Sequence, residues 1–123
     1  MAYAFTVDAG RRLVRVAQEG PERVQTALEA MRELLAHPEF RAEYGILCDF
    51  RGGNFPANNE GLLRMSAAIR EFFPGQRIAL VFSRPERETK GQFVAAASSA
   101  TVRMRVFDSL IHAEAWLGAP AES

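Results

Sequence analysis

An aspartate and an arginine stand two positions apart where an apolar run gives way to glycines, and they are the residues best placed to do chemistry. The run Ile46-Leu47-Cys48 leads into Asp49, and Arg51 precedes Gly52 and Gly53. A short apolar run bounded by turn formers is typical of a strand buried on both faces. Ligands of open α/β sheets bind beyond the carboxyl ends of the strands. The pattern therefore places this pair at the mouth of such a sheet.

We call the edge of the sheet at the carboxyl ends of the parallel strands the rim. Two interpretations fit the residues predicted to lie there. In the first, residues at the strand ends bind a small anion beside helix N-termini, which favour negative charge. The residues that would hold it are Asp49, Arg51, Gly52, Gly53, Arg84 and Asp108. In the second, Asp49 caps the loop and forms a surface ion pair, which is the commoner use of such loop residues. The glycines also lack the lysine and the spacing of a P-loop, so a plain turn is favoured for them.

No other residue set matches a catalytic pattern. Cys48 lies inside the apolar run, where a thiolate is costly, and no histidine is placed to activate it. His37 precedes the central strand and His112 follows the last one, so the two should lie at opposite ends of the sheet. We therefore expect no enzyme activity, no metal site and no cofactor.

Hydrophobic periodicity predicts the elements that must position the rim. Alternation over 3–7 and 13–18 predicts an antiparallel hairpin. Apolar stripes at three- and four-residue spacing predict helices over 21–36, 59–73, 86–99 and 109–117. Apolar runs predict strands over 44–50 and 78–82, and the strand at 102–106, with one wet face, should lie at a sheet edge. Alternating strands and helices require right-handed crossovers, so the later strands should be parallel.

Composition restricts the class of protein. The chain has 123 residues, enough for one domain, and 48% of them are hydrophobic, which argues against disorder. Fifteen basic residues balance fifteen acidic ones, so no global field recruits nucleic acid or an anionic membrane. Arg77, Arg103 and Arg105 form at most a small basic patch, most simply a solvated face. The single cysteine fits a reducing compartment, and no apolar run spans a bilayer, so we expect a cytoplasmic protein.

Three segments resemble small bacterial proteins of the SpoIIAA-like group, related to STAS and SEC14-like domains. They are Ile46-Leu47-Cys48-Asp49-Phe50-Arg51, Arg77-Ile78-Ala79-Leu80-Val81, and Val106-Phe107 with Ala113-Glu114-Ala115-Trp116-Leu117. The resemblance covers nearly the whole chain and rests mainly on residues that mark packing. It implies an α/β fold with a mixed, mostly parallel five-stranded sheet, an N-terminal antiparallel hairpin and about four helices.

The resemblance implies a regulatory function, with one departure. STAS anti-sigma-factor antagonists are switched by phosphorylation of a serine after the third strand, whereas the window 49–65 contains no hydroxyl side chain. We therefore expect a non-enzymatic protein-interaction or regulatory module whose partner is a protein or a second copy of itself. The predicted contact residues are Phe55, Asn58, Asn59, Leu62 and Phe73. The alternative is a carrier or sensor of a small anion, nucleotide or lipid that uses the rim crevice.

Overall fold

The chain enters its fold through a β-hairpin. The computed structural model describes residues 3–18, 20–21, 24–51, 53–54, 59–82 and 103–118. Strand β1 (Tyr3–Asp8) pairs antiparallel with β2 (Leu13–Gln18). In the turn, Asp8 Oδ1 accepts a hydrogen bond of 3.1 Å from the backbone N–H of Arg11. Arg12 has a φ of 56°, which reverses the chain in a conformation that side chains rarely adopt.

Further strands and helices follow along the described residues. The further elements are β3 (Gly20–Pro21), α1 (Val24–Ala36), β4 (Gly45–Asp49), β5 (Gly53–Asn54), α2 (Asn59–Phe72), β6 (Arg77–Val81), β7 (Arg103–Phe107) and α3 (Leu110–Gly118). The helix predicted over 86–99 lies outside the described residues. At the last helix, the backbone N–H of His112 donates to Ser109 Oγ (3.4 Å), so Ser109 provides the N-cap.

Five strands form one mixed sheet in the order β1-β2-β4-β6-β7. Strands β2, β4, β6 and β7 are parallel, and only β1 runs against them. Ile46 of β4 is aligned with Val14 on one side and Ile78 on the other. The predicted fold class is therefore confirmed: β4 is the central strand, and β7 forms an edge.

Both faces of β4 are covered. On one face Ile46 packs with Val14, Leu80 and the helical residues Leu34 and Ile69, which belong to α1 and α2. On the other face Leu47 packs with Ala113 and Leu117 of α3. A run that is apolar at successive positions is thus explained, because alternate side chains enter two separate cores.

A buried glutamine joins the starts of three parallel strands. Gln76, which directly precedes β6, donates from Nε2 to the carbonyl oxygen of Tyr44 at the start of β4 (2.9 Å). The backbone carbonyl oxygen of Gln76 accepts a hydrogen bond from the backbone N–H of Arg103, the first residue of β7 (3.2 Å). These bonds satisfy a polar group that would be costly to bury alone, and they align the amino edge of the sheet.

We expect Leu47→Ala to lower the free energy of unfolding by about 2–5 kcal/mol, because it leaves a cavity in the middle of the sheet. Leu47 is 1% exposed, whereas Leu35 on α1 is 40% exposed and provides the matched control. Urea unfolding followed by circular dichroism measures both variants. A loss no larger for Leu47→Ala than for Leu35→Ala would contradict the doubly covered position of β4.

Candidate functional site

Asp49 and Arg51 bind each other at the carboxyl end of β4. The Oδ1 atom of Asp49 accepts hydrogen bonds from the backbone N–H of Arg51 (3.1 Å) and from its Nε (2.9 Å). The Oδ2 atom accepts from Arg51 Nη2 (2.9 Å). The carboxylate thus caps the turn and receives a bidentate guanidinium at the same time, a geometry that fixes both side chains.

The pairing also sets the protonation of both groups. Hydrogen bonds from the Arg51 side chain hold the pKa of Asp49 below its ordinary value, although partial burial acts in the opposite direction. The same hydrogen bonds raise the pKa of Arg51. The aspartate is therefore a stabilised carboxylate and a weak proton acceptor at neutral pH.

The ends of the parallel strands fix the position of this pair. The backbone N–H of Phe50 donates to Val81 O (2.9 Å), and that of Phe82 donates to Phe107 O (3.0 Å). The Phe50 and Phe82 rings stack with centroids 5.4 Å apart. These contacts fix the ends of β4, β6 and β7 relative to one another at the carboxyl rim.

The described residues include only part of the predicted anion site. Asp108 follows β7, and β6 separates that strand from β4, so its backbone lies about two strand spacings, roughly 10 Å, from Asp49. Gly52 and Arg84 lie outside the described residues. What the structure brings together is the ion pair of Asp49 and Arg51.

The glycine segment is more regular than predicted. We expected Gly53 in a loop, but Gly53 and Asn54 form β5, which pairs parallel with Gly20 and Pro21 of β3. This two-residue ladder forms a second sheet, separate from the five-stranded one. The prediction of a loop at Gly53 is therefore wrong, because parallel pairing with β3 gives its backbone a partner.

One predicted contact residue is buried. Phe73 is 3% exposed, with its ring centroid 6.1 Å from that of Phe40 and 6.5 Å from that of Phe72, both edge to face. Its assignment to a partner surface is wrong, because its ring packs with Phe40 and Phe72 in the core. Of Asn59 and Leu62 only the backbone is described, in α2, and Phe55 and Asn58 lie outside the described residues.

A second polar cluster lies at the opposite, amino edge of the sheet. Glu114 of α3 pairs with Arg15 of β2, and its Oε1 lies 3.9 Å from Nη1 of Arg11. A crevice of about 260 Å³ opens beside it, lined by Arg11, Arg12, Leu13, Glu114, Leu117 and Gly118. The sequence analysis missed this cluster, since 99 positions separate Arg15 from Glu114. Arg15 itself was a signal, because it lies two positions after the buried Leu13 and therefore on the same face of β2, where a charged side chain needs a partner.

The described part of the chain contains neither a candidate metal site nor a candidate membrane-spanning helix. Those residues include no group of three histidine, cysteine or acidic side chains that could hold a metal ion. None of the described helices is both long and apolar enough to cross a bilayer. Cys48 is partly buried against the core that α1 and α2 cover.

Comparison with known proteins identifies the fold. No family model matches the sequence, and no curated protein gives a significant match. The structure is similar to that of an uncharacterized protein from the DUF3478 family, with a SpoIIAA-like fold, from Shewanella loihica PV-4. The TM-score is 0.61 at 15% identity, over 94% of each chain. The chain therefore has the SpoIIAA-like fold that the sequence resemblance implied.

We expect Asp49→Asn to lower the free energy of unfolding by about 0.5–1 kcal/mol at pH 7, because the ion pair is partly exposed. The pKa of Asp49 is lowered in the folded state, so its stabilisation is complete above the unfolded value, about 3.9, and disappears as the pH falls through the folded value. Urea unfolding at pH 7 and at about pH 2 measures the difference. The exposed Glu71→Gln on α2 is the matched control, and a difference that persists undiminished in acid would contradict this account.

Proposed function

We propose that the protein is a non-enzymatic protein-interaction or regulatory module that contacts its partner through the carboxyl rim of the sheet and the start of α2. The observation that carries this proposal is the bidentate ion pair of Asp49 and Arg51. A rim residue that serves catalysis or anion binding needs an available charge. Here each charge is compensated by the other.

The pair is poorly suited to proton transfer. A general base works best when its pKa lies near the operating pH, whereas the three hydrogen bonds from Arg51 move the pKa of Asp49 away from neutrality. The guanidinium of Arg51 already binds a carboxylate, so a free anion must compete with Asp49 for it. These two points favour a contact function at the rim.

The same pair suits protein recognition. The Arg51 side chain is 45% exposed, yet two hydrogen bonds to Asp49, from Nε and Nη2, fix its position. An arginine that is ordered before binding loses less conformational entropy in a complex, and arginine is enriched at interfaces. It also directly precedes the segment 52–59, which carries Phe55, Asn58 and Asn59.

Regulation in this proposal acts through contact. The STAS mechanism needs a phosphorylatable serine after the third strand, and the window 49–65 has no hydroxyl side chain. Occupation of the rim by a partner, including a second copy of the chain, is then the event that transmits a signal. Sedimentation velocity over a range of protein concentrations distinguishes self-association from binding of another protein.

A small-ligand carrier is the second candidate, and the amino-edge crevice is the observation that favours it. Its lining combines the apolar Leu13 and Leu117 with the charged Arg11 and Arg12. A volume of about 260 Å³ is close to the lower limit for small-molecule sites. Native mass spectrometry of the purified protein tests this function, since a carrier should retain a small molecule.

We expect Arg51→Ala to reduce recovery of the bound protein about tenfold or more in quantitative pull-downs from native lysate, because central interface arginines contribute strongly to affinity. Arg41→Ala is the matched control: Arg41 is exposed and donates to Pro38 O (3.0 Å) in the connection before β4, at the amino edge. The exchange Asp49→Arg with Arg51→Asp keeps an ion pair but alters the group presented, and should fail like the single variant. Equal protein profiles for Arg51→Ala, Arg41→Ala and the parent would refute the rim as the contact surface.

A further inference from the structure

The amino-edge crevice lies where the end of α3 meets the start of β2. Helix α3 begins beyond the carboxyl end of β7 and runs back across the sheet, so its last residue, Gly118, reaches the opposite edge. Leu13 of β2 and Leu117 of α3 supply the apolar part of the lining. Gly45 at the start of β4 permits this close approach of α3, because a side chain there would begin 3.0 Å from Leu117.

Two arginine side chains beside the crevice keep their capacity for hydrogen bonds. Arg11 Nε lies 4.0 Å from Asp8 Oδ2, and Arg11 Nη1 lies 3.9 Å from Glu114 Oε1. Arg12 Nη2 lies 3.8 Å from Glu43 Oε1. These separations are longer than the roughly 3 Å of a hydrogen bond, and the two arginine side chains are 66% and 67% exposed. Exposed ion pairs of this kind stabilise little, so a ligand carboxylate can replace them.

The backbone of Arg12 points to a use for its side chain. Its φ of 56° lies in the left-handed region, which glycine adopts without strain. The backbone N–H of Arg12 donates to Ala9 O (3.3 Å), and its carbonyl oxygen accepts from the N–H of Gly45 (3.1 Å), so the turn and the neighbouring strand hold this conformation. Backbone strain of this kind is concentrated at ligand-binding and other functional positions.

The α3 side of the crevice is negative. Glu114 Oε1 accepts a hydrogen bond from Arg15, whereas within the described ranges no hydrogen bond reaches Glu114 Oε2. The last carbonyl groups of an α-helix have no partner inside the helix and carry partial negative charge, and α3 ends at Gly118. An ammonium group is therefore favoured beside α3, and a carboxylate is favoured beside the hairpin turn that carries Arg11 and Arg12.

We propose that the amino-edge crevice binds a free α-amino acid with an apolar side chain. The carboxylate of the ligand binds the guanidinium groups of Arg11 and Arg12, whose planar shape suits it. The ammonium group binds Glu114 and the end of α3, and the apolar side chain packs on Leu13 and Leu117. A crevice of about 260 Å³ lies below the usual range for drug-sized ligands, which fits so small a molecule. Such binding rests on the carrier function proposed for this crevice and does not involve the rim.

Matched probes test this assignment by NMR titration of the full, isotope-labelled chain. The probes are L-leucine, isocaproate, which lacks the ammonium group, and L-leucinamide, which lacks the carboxylate. We expect leucine to shift the amide signals of Arg12 and Gly118 and the methyl signals of Leu13 and Leu117 saturably. Leucine should bind about tenfold more tightly than either analogue, because each analogue leaves one charged partner without its ion. No saturable shift at millimolar leucine, or equal binding of an analogue, would overturn the proposal.

The variant Arg12→Gly separates binding from stability. Glycine adopts a φ of 56° without strain, so this variant should unfold at the same or a higher urea concentration, while its affinity for leucine falls about tenfold. Arg11→Gln changes an exposed side chain and should also weaken leucine binding about tenfold. Arg64→Gln removes the same charge from the exposed surface of α2 and should bind like the parent. Unchanged affinity in Arg12→Gly, or an equal loss in Arg64→Gln, would contradict the assignment.

Native mass spectrometry of the purified protein distinguishes failure of the ligand assignment from failure of the carrier function. A retained apolar amino acid supports both. A retained molecule of another class that leucine does not displace would overturn the amino-acid assignment and leave the carrier function in place. If the protein retains nothing and leucine gives no saturable shift, both proposals are wrong.

Discussion

Burial of β4 on both faces is the constraint on which the other features depend. Ile46 and Leu47 enter different cores, so a shift of one residue in register would exchange their environments and is strongly disfavoured. That fixed register brings Asp49 to the carboxyl rim opposite Val81. It also brings Gly45 so close to α3 that a side chain there would begin 3.0 Å from Leu117. The register of β4 thus determines both the position of the Asp49 and Arg51 pair and the close packing of α3 on the sheet.

Local patterns predicted the architecture because each strand and helix carries its own periodicity. The hairpin, the central strand and the edge strand β7 follow from alternation and apolar runs, and the comparison with a solved SpoIIAA-like structure confirms the fold. Predictions about the surroundings of single residues were less successful. Phe73, predicted as a contact residue, is buried in the core with Phe40 and Phe72, because its ring packs against elements that are distant in sequence. The pairing of Arg15 with Glu114 depends on how α3 crosses the sheet, which local spacing does not encode.

Equal numbers of acidic and basic residues conceal an uneven distribution of charge. At the rim, Asp49 neutralises Arg51, and hydrogen bonds fix the two side chains against each other. At the edge formed by β7, arginines stand beside one another and beside aromatic rings. Net charge describes neither the rim nor this edge.

The two-residue ladder of β3 and β5 has a mechanical consequence. Gly20 and Pro21 come shortly before α1, and Gly53 and Asn54 precede α2, so backbone pairing ties together the entrances of the two helices that cover one face of the sheet. The segments that lead to these two helices therefore share backbone hydrogen bonds before either helix begins, although 33 positions separate Gly20 from Gly53.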